Sequence, residues 1–184
     1  TARIAVLYRT NAQSRIFEEN LRRLRIDYNI VGGFSFYERQ EIKDVIAYLK
    51  LALNPLDDVA LLRVLNNPPR GIGKTTLEAI AEAAKAERLS LWEIIESAAL
   101  GELEIGITRR ARESLASFRK TIIGLRAKAD IVDSRPVSSL VMAAIDDTGY
   151  SHMLKAENTD ESAGRLENLE ELVNAAADYD DAGP

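Results

Sequence analysis

The spacing of apolar residues changes once along this chain, at Gly32-Gly33. Before that point Ile4 to Tyr8 form an unbroken apolar run of strand length, which suits a parallel strand buried on both faces. Ile16, Phe17, Leu21 and Leu24 then recur at helical spacing behind Asn11, a good helix cap, and Tyr28 to Val31 predict a second short strand. Strand, helix and strand make a βαβ unit, and one such unit cannot cover the faces of a sheet. Residues 1–33 are therefore expected to be the edge of a larger α/β domain. Gly32 and Gly33, adjacent residues without Cβ, are the expected hinge.

From residue 34 to 184 the pattern is helical almost throughout. Ile42, Val45, Ile46, Leu49 and Leu53 share one face of a helix that ends at Asn54-Pro55. Asp57 or Asp58 can cap the next helix, through Leu65, and Thr75 or Thr76 the one carrying Leu77, Ile80, Ala81 and Ala84. Ser90 and Glu93 form a capping box before the next apolar run. Further helices are predicted over 108–129, 137–147 and 162–177, with Gly149 as a stop signal. The predicted fold class is mainly α: a domain of at least six helices preceded by a short βαβ piece.

Composition narrows the chemistry. The 184 residues contain no cysteine, which removes disulfides, thiolate catalysis and cysteine-ligated zinc, and fits a reducing, cytoplasmic setting. The single histidine, His152, excludes a clustered-histidine metal site, so no metal is expected. No apolar run approaches the length of a membrane span, and Thr1-Ala2-Arg3 does not open a signal peptide. Residues 1–33 carry net +3, residues 34–129 net +2 and residues 130–184 net −10. A chain with so acidic a final third makes a poor freestanding nucleic-acid binder, which predicts that it is a piece of something larger.

The most informative stretch is Pro68-Pro69-Arg70-Gly71-Ile72-Gly73-Lys74-Thr75-Thr76. A phosphate-binding P-loop ending in Gly73-Lys74-Thr75 needs a glycine at position 68 and a strand upstream. Position 68 is Pro68, which has no N–H, and Leu61 to Leu65 reads as a helix end, so an independent NTPase is excluded. What remains is a Gly-Ile-Gly turn opening onto a helix N-terminus with a cation and two hydroxyls. Such a turn suits a helix-hairpin-helix-like clamp on one nucleic-acid phosphate. The alternative is a purely structural corner between two helices. A weaker echo follows at Gly106, where Arg109 and Arg110 open a helix whose N-terminus disfavours cations unless an anion sits there. They are candidates for a second DNA contact, or simply a solvated charged face.

Four ordered segments carry a family resemblance. Ala5-Val6-Leu7-Tyr8-Arg9-Thr10-Asn11-Ala12-Gln13-Ser14-Arg15 resembles a motif in the second motor domain of UvrD/PcrA/Rep-type superfamily-one DNA helicases. Val31 to Asp44, with its Gly-Gly-Phe and Glu-Arg-Gln-Glu-Ile-Lys-Asp, resembles the family's passage into an inserted accessory subdomain called 2B. The Pro69 to Gly73 turn and Arg165 to Leu172 match in order and spacing. The resemblance implies that residues 1–33 are the edge of the second motor domain (2A) and residues 34–184 are most of 2B.

It further implies a part of an ATP-dependent 3′-to-5′ helicase that unwinds duplex DNA in repair or replication. Arg9, Thr10, Asn11 and Arg15 would lie beside single-stranded DNA, and Arg70, Gly71, Ile72, Gly73, Lys74, Thr75 and Thr76 on the backbone of the duplex. The implied partners are a single-strand/duplex junction, the remainder of the motor and repair proteins, with no membrane. ATP and Mg would belong to the parent, since this stretch has no Walker A motif, no acidic Mg-holding motif and no arginine finger. It is expected to have no catalytic residue and no ATPase activity by itself. The competing reading is a regulatory, protein-interaction module with acidic Asp130 to Asp181 as its partner surface.

Overall fold

The computed structural model describes residues 4–130 and 136–180. Thr1 to Arg3 and, in the acidic stretch, Asp133 and Asp181 lie outside the described residues. The helices are α1 (Ser14–Arg23), α2 (Gln40–Leu53), α3 (Asp58–Val64), α4 (Lys74–Glu87), α5 (Leu91–Leu100), α6 (Arg109–Ala129), α7 (Val137–Asp146), α8 (Tyr150–Glu157) and α9 (Asp160–Asp180). Short 3₁₀ turns at Asn11–Gln13 and Phe36–Glu38 precede α1 and α2.

Local chemistry sets most of these ends. The Asp57 carboxylate caps α3 by accepting from the Ala60 N–H at 2.9 Å, and the Thr108 hydroxyl caps α6 by accepting from Ala111 at 3.2 Å. Ser90 and Glu93 complete the capping box of α5, which stops at Gly101 with φ 77°. Glu93 is exposed, and the hydrogen bonds from Ser90 hold its carboxyl below its ordinary pKa. Gly149, at φ 80°, separates α7 from α8.

The core forms around α2, which packs on α3 and α6 on one side and on α7 and α9 on the other. Tyr48, Leu51, Phe118, Ile122, Leu154 and Leu169 are among its buried members. On the outer side α4 lies on α5, and α5 on α6.

Two sequence expectations need correction. No strand exists among the described residues, so the βαβ piece is not formed. Ile4, Leu7 and Val31 are instead 87%, 94% and 94% exposed. A parallel strand is stable only when paired and covered on both faces, and two short segments provide neither. The helix-hairpin-helix-like turn is not formed either. Helices α3 and α4 are joined by nine residues, 65–73, and α4 packs chiefly on α5.

Helix α1 is turned inside out. Ser14, Arg15 and Glu18 are buried, whereas Ile16, Phe17 and Leu24 of its apolar stripe are 54%, 43% and 64% exposed. Its polar face is held by the rest of the molecule. Arg15 Nε donates to Glu171 of α9 at 2.6 Å, with Glu19 and Asp178 at 2.9 and 3.2 Å from Nη1. Burial works against the charge of Arg15, and these three carboxylates more than restore it, pushing its pKa above the ordinary value.

Candidate nucleic-acid interface

The loop between α3 and α4 exposes Gly71, Gly73, Lys74 and Thr75 and buries Ile72 and Thr76. Ile72, at 1% exposure, is the apolar anchor that pins the loop to the core. Gly71 has φ 74°, a conformation that favours glycine, and the space where a Cβ would stand at Gly71 or Gly73 is empty within 4 Å. Gly73 occupies the N-cap position of α4 and supplies no side-chain cap, unlike Thr108 at α6. The first turn of α4 therefore presents N–H groups without the side-chain acceptor that α6 has. Lys74 is 89% exposed at its side chain and has only a loose 3.6 Å pairing with Glu78, worth little in water.

The underside of the loop is densely bonded. Asn66 Oδ1 accepts from the backbone N–H of Arg70 and of Ile72, at 2.8 and 3.2 Å. Ser114 of α6 donates its hydroxyl to the Arg70 carbonyl at 2.8 Å. Arg70 itself turns inward: Nη1 donates to the carbonyls of Val64, Leu65 and Pro68, and Nη2 to the Tyr48 hydroxyl and the Thr148 carbonyl. Tyr48 donates in turn to the Asn67 carbonyl. Burial pushes the Tyr48 hydroxyl up to about 12, against the pull of Arg70. One layer deeper, buried Asp44 accepts from Asn67, Tyr150 and Arg63 at 2.7, 2.7 and 2.6 Å. Arg70, expected on a phosphate, is placed internally, with both Nη atoms on protein acceptors.

The Gly106 echo lies next to this loop. Ser114 fixes the second turn of α6 against Arg70, and Arg110 stands one helical turn before Ser114 on the same face. Arg109 and Arg110 are exposed, although Arg109 also pairs with Glu113 at 2.9 Å. Arg112 folds back to Glu104, whose carboxyl it holds below the usual range by hydrogen bond and charge.

The four residues expected on a single strand are not one surface. Arg9 is exposed and Thr10 half-buried, and both backbone N–H groups face the Gln13 side chain, at 2.9 and 3.4 Å. Asn11 is exposed, and its carbonyl accepts from Arg39. Arg15, expected beside single-stranded DNA, is 6% exposed and held by three carboxylates.

Gly32 and Gly33 sit at the tip of a loop whose two feet are bonded together. Glu18 accepts from the Ser35 hydroxyl and the Phe36 N–H, and Arg39 reaches back to Ser14 and across to Asn168 of α9. Asn168 in turn donates to Glu41 at 2.6 Å. Any large rotation between the segments flanking the two glycines breaks this cluster. Sequence reasoning missed Asp44, Tyr48, Asn66 and Ser114. The available signal was Glu41, Asp44 and Tyr48 recurring along the inner side of the otherwise apolar α2.

The residues present do not fit a nucleotide: Pro68 offers no N–H, and its carbonyl accepts from Arg70. Among the described residues no group of three or more His, Asp or Glu is placed to hold a metal ion. No described helix is long and apolar enough to cross a membrane.

Comparison with known proteins places this geometry in context. The family model for the UvrD-like helicase C-terminal domain matches residues 1–184. The chain is 42% identical over 177 residues to the ATP-dependent DNA helicase PcrA of Bacillus subtilis, covering 96% of the chain and 23% of the relative. It is 36% identical over 182 residues to PcrA of Staphylococcus aureus, covering 98% of the chain and 24% of the relative. Against PcrA of Leuconostoc citreum it is 41% identical over 177 residues, covering 96% and 23%. The chain thus spans about a quarter of the length of these relatives.

Proposed function

We propose a function that starts from one fact: this chain belongs to the family of UvrD-like helicase C-terminal domains. In this reading it is the part of an ATP-dependent 3′-to-5′ DNA helicase that grips the duplex ahead of the motor. Residues 34–184 act as the accessory 2B domain and residues 1–33 as the edge of the second motor domain. The parent supplies the ATP and Mg site, and repair proteins are candidate partners.

The observation that carries the reading is the loop at Gly71 to Thr75. It is exposed above, bonded below, and opens onto a helix N-terminus that lacks a side-chain cap. Unsatisfied N–H groups, a helix dipole and Lys74 suit one phosphate, and an empty approach at Gly73 suits a backbone coming close. Arg110 and Arg109, on the neighbouring helix start, suit a second phosphate of the same duplex. The exposed apolar side of α1, with Ile4, Leu7 and Val31 nearby in sequence, suits burial against the remainder of a motor domain. The swivel of 2B about Gly32 and Gly33 belongs to the same reading, with the Glu18 and Arg39 contacts as what must open.

Duplex binding by the full-length helicase across a salt series tests it. Lys74→Ala is expected to lower the slope of log affinity against log salt by about 0.9, the value for one phosphate contact. Arg110→Ala is expected to do the same. Unchanged slopes in both variants would leave the loop a structural corner and favour the protein-interaction reading.

A further inference from the structure

We infer that Arg70 is a positioning residue: it braces the Gly71 to Lys74 loop from beneath and does not itself touch the duplex. This rests on the duplex-grip reading for its consequence in binding, and on the internal contacts alone for the brace. Three observations converge on it. The guanidinium makes five hydrogen bonds, to the carbonyls of Val64, Leu65 and Pro68 through Nη1 and to Tyr48 and Thr148 through Nη2. Its guanidinium carbon stands over two rings, 5.4 Å from the Phe118 centroid and 5.8 Å from that of Tyr48. Its own backbone is held on both sides, the N–H by Asn66 and the carbonyl by Ser114.

The chemistry explains why arginine stands here. The last carbonyls of α3 carry the negative end of the helix dipole and point at a cation. A planar fork can serve those carbonyls and the Thr148 carbonyl together, and its faces can stack on Phe118 and Tyr48. Lysine offers a point charge and cannot do both. Arg70 thereby ties α2, α3, α6 and the α7–α8 junction to the residue immediately before Gly71. A loop fixed in this way presents its N–H groups without first losing conformational freedom, and preorganisation of this kind raises affinity.

The test uses the full-length helicase with Arg70→Lys, Arg70→Gln and Tyr48→Phe, the last removing one internal partner of Arg70 without altering the surface. Arg70→Lys is expected to weaken duplex binding roughly tenfold, the equivalent of ordering one or two side chains, with an unchanged salt slope. Arg70→Gln is expected to keep that slope too. Tyr48→Phe is expected to weaken binding in the same direction, and adding it to Arg70→Lys to cost no more than Arg70→Lys alone. Full affinity in Arg70→Lys together with a slope lowered by about 0.9 in Arg70→Gln would make Arg70 a direct phosphate ligand and overturn the proposal. Amide hydrogen exchange without DNA separates the brace from the grip. Faster exchange at the Arg70 and Ile72 amides in Arg70→Lys supports the brace, and unchanged exchange there overturns it. A loss of the duplex-grip reading would show instead as Lys74→Ala binding like wild type.

Discussion

Replacing Glu18 by glutamine should cost this molecule far more than an ordinary change of one carboxylate. Glu18 is 3% exposed. It accepts strong hydrogen bonds from the Ser14 hydroxyl, the Ser35 hydroxyl and the Phe36 N–H, at 2.8, 2.5 and 3.1 Å. Glutamine keeps the volume and one acceptor oxygen but turns the other site into a donor. A bond to a charged acceptor contributes about 1 kcal/mol more than a neutral one, so three donors set a ceiling of about 3 kcal/mol. Hydroxyls can rotate to accept, which lowers the expected loss to about 2 kcal/mol. Glu18→Ala, which orphans the buried Phe36 N–H and leaves a cavity, should cost about 4 kcal/mol. Urea unfolding measures this as a lower midpoint at constant slope. Glu113→Gln is the control: Glu113 is 64% exposed and its pairing with the 92% exposed Arg109 should be worth less than about 1 kcal/mol. If Glu18→Gln behaves like that control, the cluster around Glu18 is not a buried unit and the account of α1 is wrong.

Three further outcomes follow from the site and the core. Gly71→Ala should lose about 1 kcal/mol of stability because its φ of 74° lies in the left-handed region. Gly73→Val, at φ −89° with open space, should fold as wild type yet weaken duplex binding by obstructing the approach; wild-type binding by this variant would remove Gly73 from the interface. Burial pushes the hydroxyls of Tyr37 and Tyr48 up to about 12, and burial with the Asp44 hydrogen bond pushes that of Tyr150 well above its ordinary value. Unfolded tyrosines ionise near pH 10, so the stability linked to these three is fully present below about pH 10 and is lost as the pH rises through about 12 for Tyr37 and Tyr48, and at still higher pH for Tyr150. Phenolate absorbance of the folded chain should show these three of the six tyrosines titrating late; six equal titrations near pH 10 would contradict their burial.

The helices were legible wherever one residue type does one local job. Asp57, Ser90 with Glu93, Thr108 and Gly149 mark ends that the structure keeps, because capping and positive φ are decided within a turn. Helix α8 was not seen as a separate element, since its eight residues carry only Tyr150 and Leu154 as buried positions. Strands at Ile4 and Tyr28 failed for the opposite reason: a strand is a statement about partners, and an apolar run does not contain them. At the candidate interface the glycines and Lys74 were readable as a turn and a cation. Arg70 and Arg15 were misplaced, because an arginine near a helix end looks the same in sequence whether it faces a phosphate or a carbonyl. Part of each acceptor set lies far along the chain, Thr148 for Arg70 and Glu171 for Arg15, the latter 156 residues away.

That separation fixes an order of events during synthesis. The Glu18 bonds to Ser35 and Phe36 can close once Phe36 has emerged, whereas Arg15 and Arg39 wait for Glu171 and Asn168 in α9. At bacterial or eukaryotic elongation rates of about 5 to 20 residues per second, that wait lasts roughly 7 to 27 seconds. Throughout it Arg15 has only Glu19, and Arg39 only Ser14 and the Asn11 carbonyl, of the partners they hold in the finished fold. Cutting the gene between Gly33 and Phe34 would yield a helical half in which Glu171 loses Arg15 and Arg39 loses Ser14 and the Asn11 carbonyl, while the Arg39–Asn168 contact stays within that half.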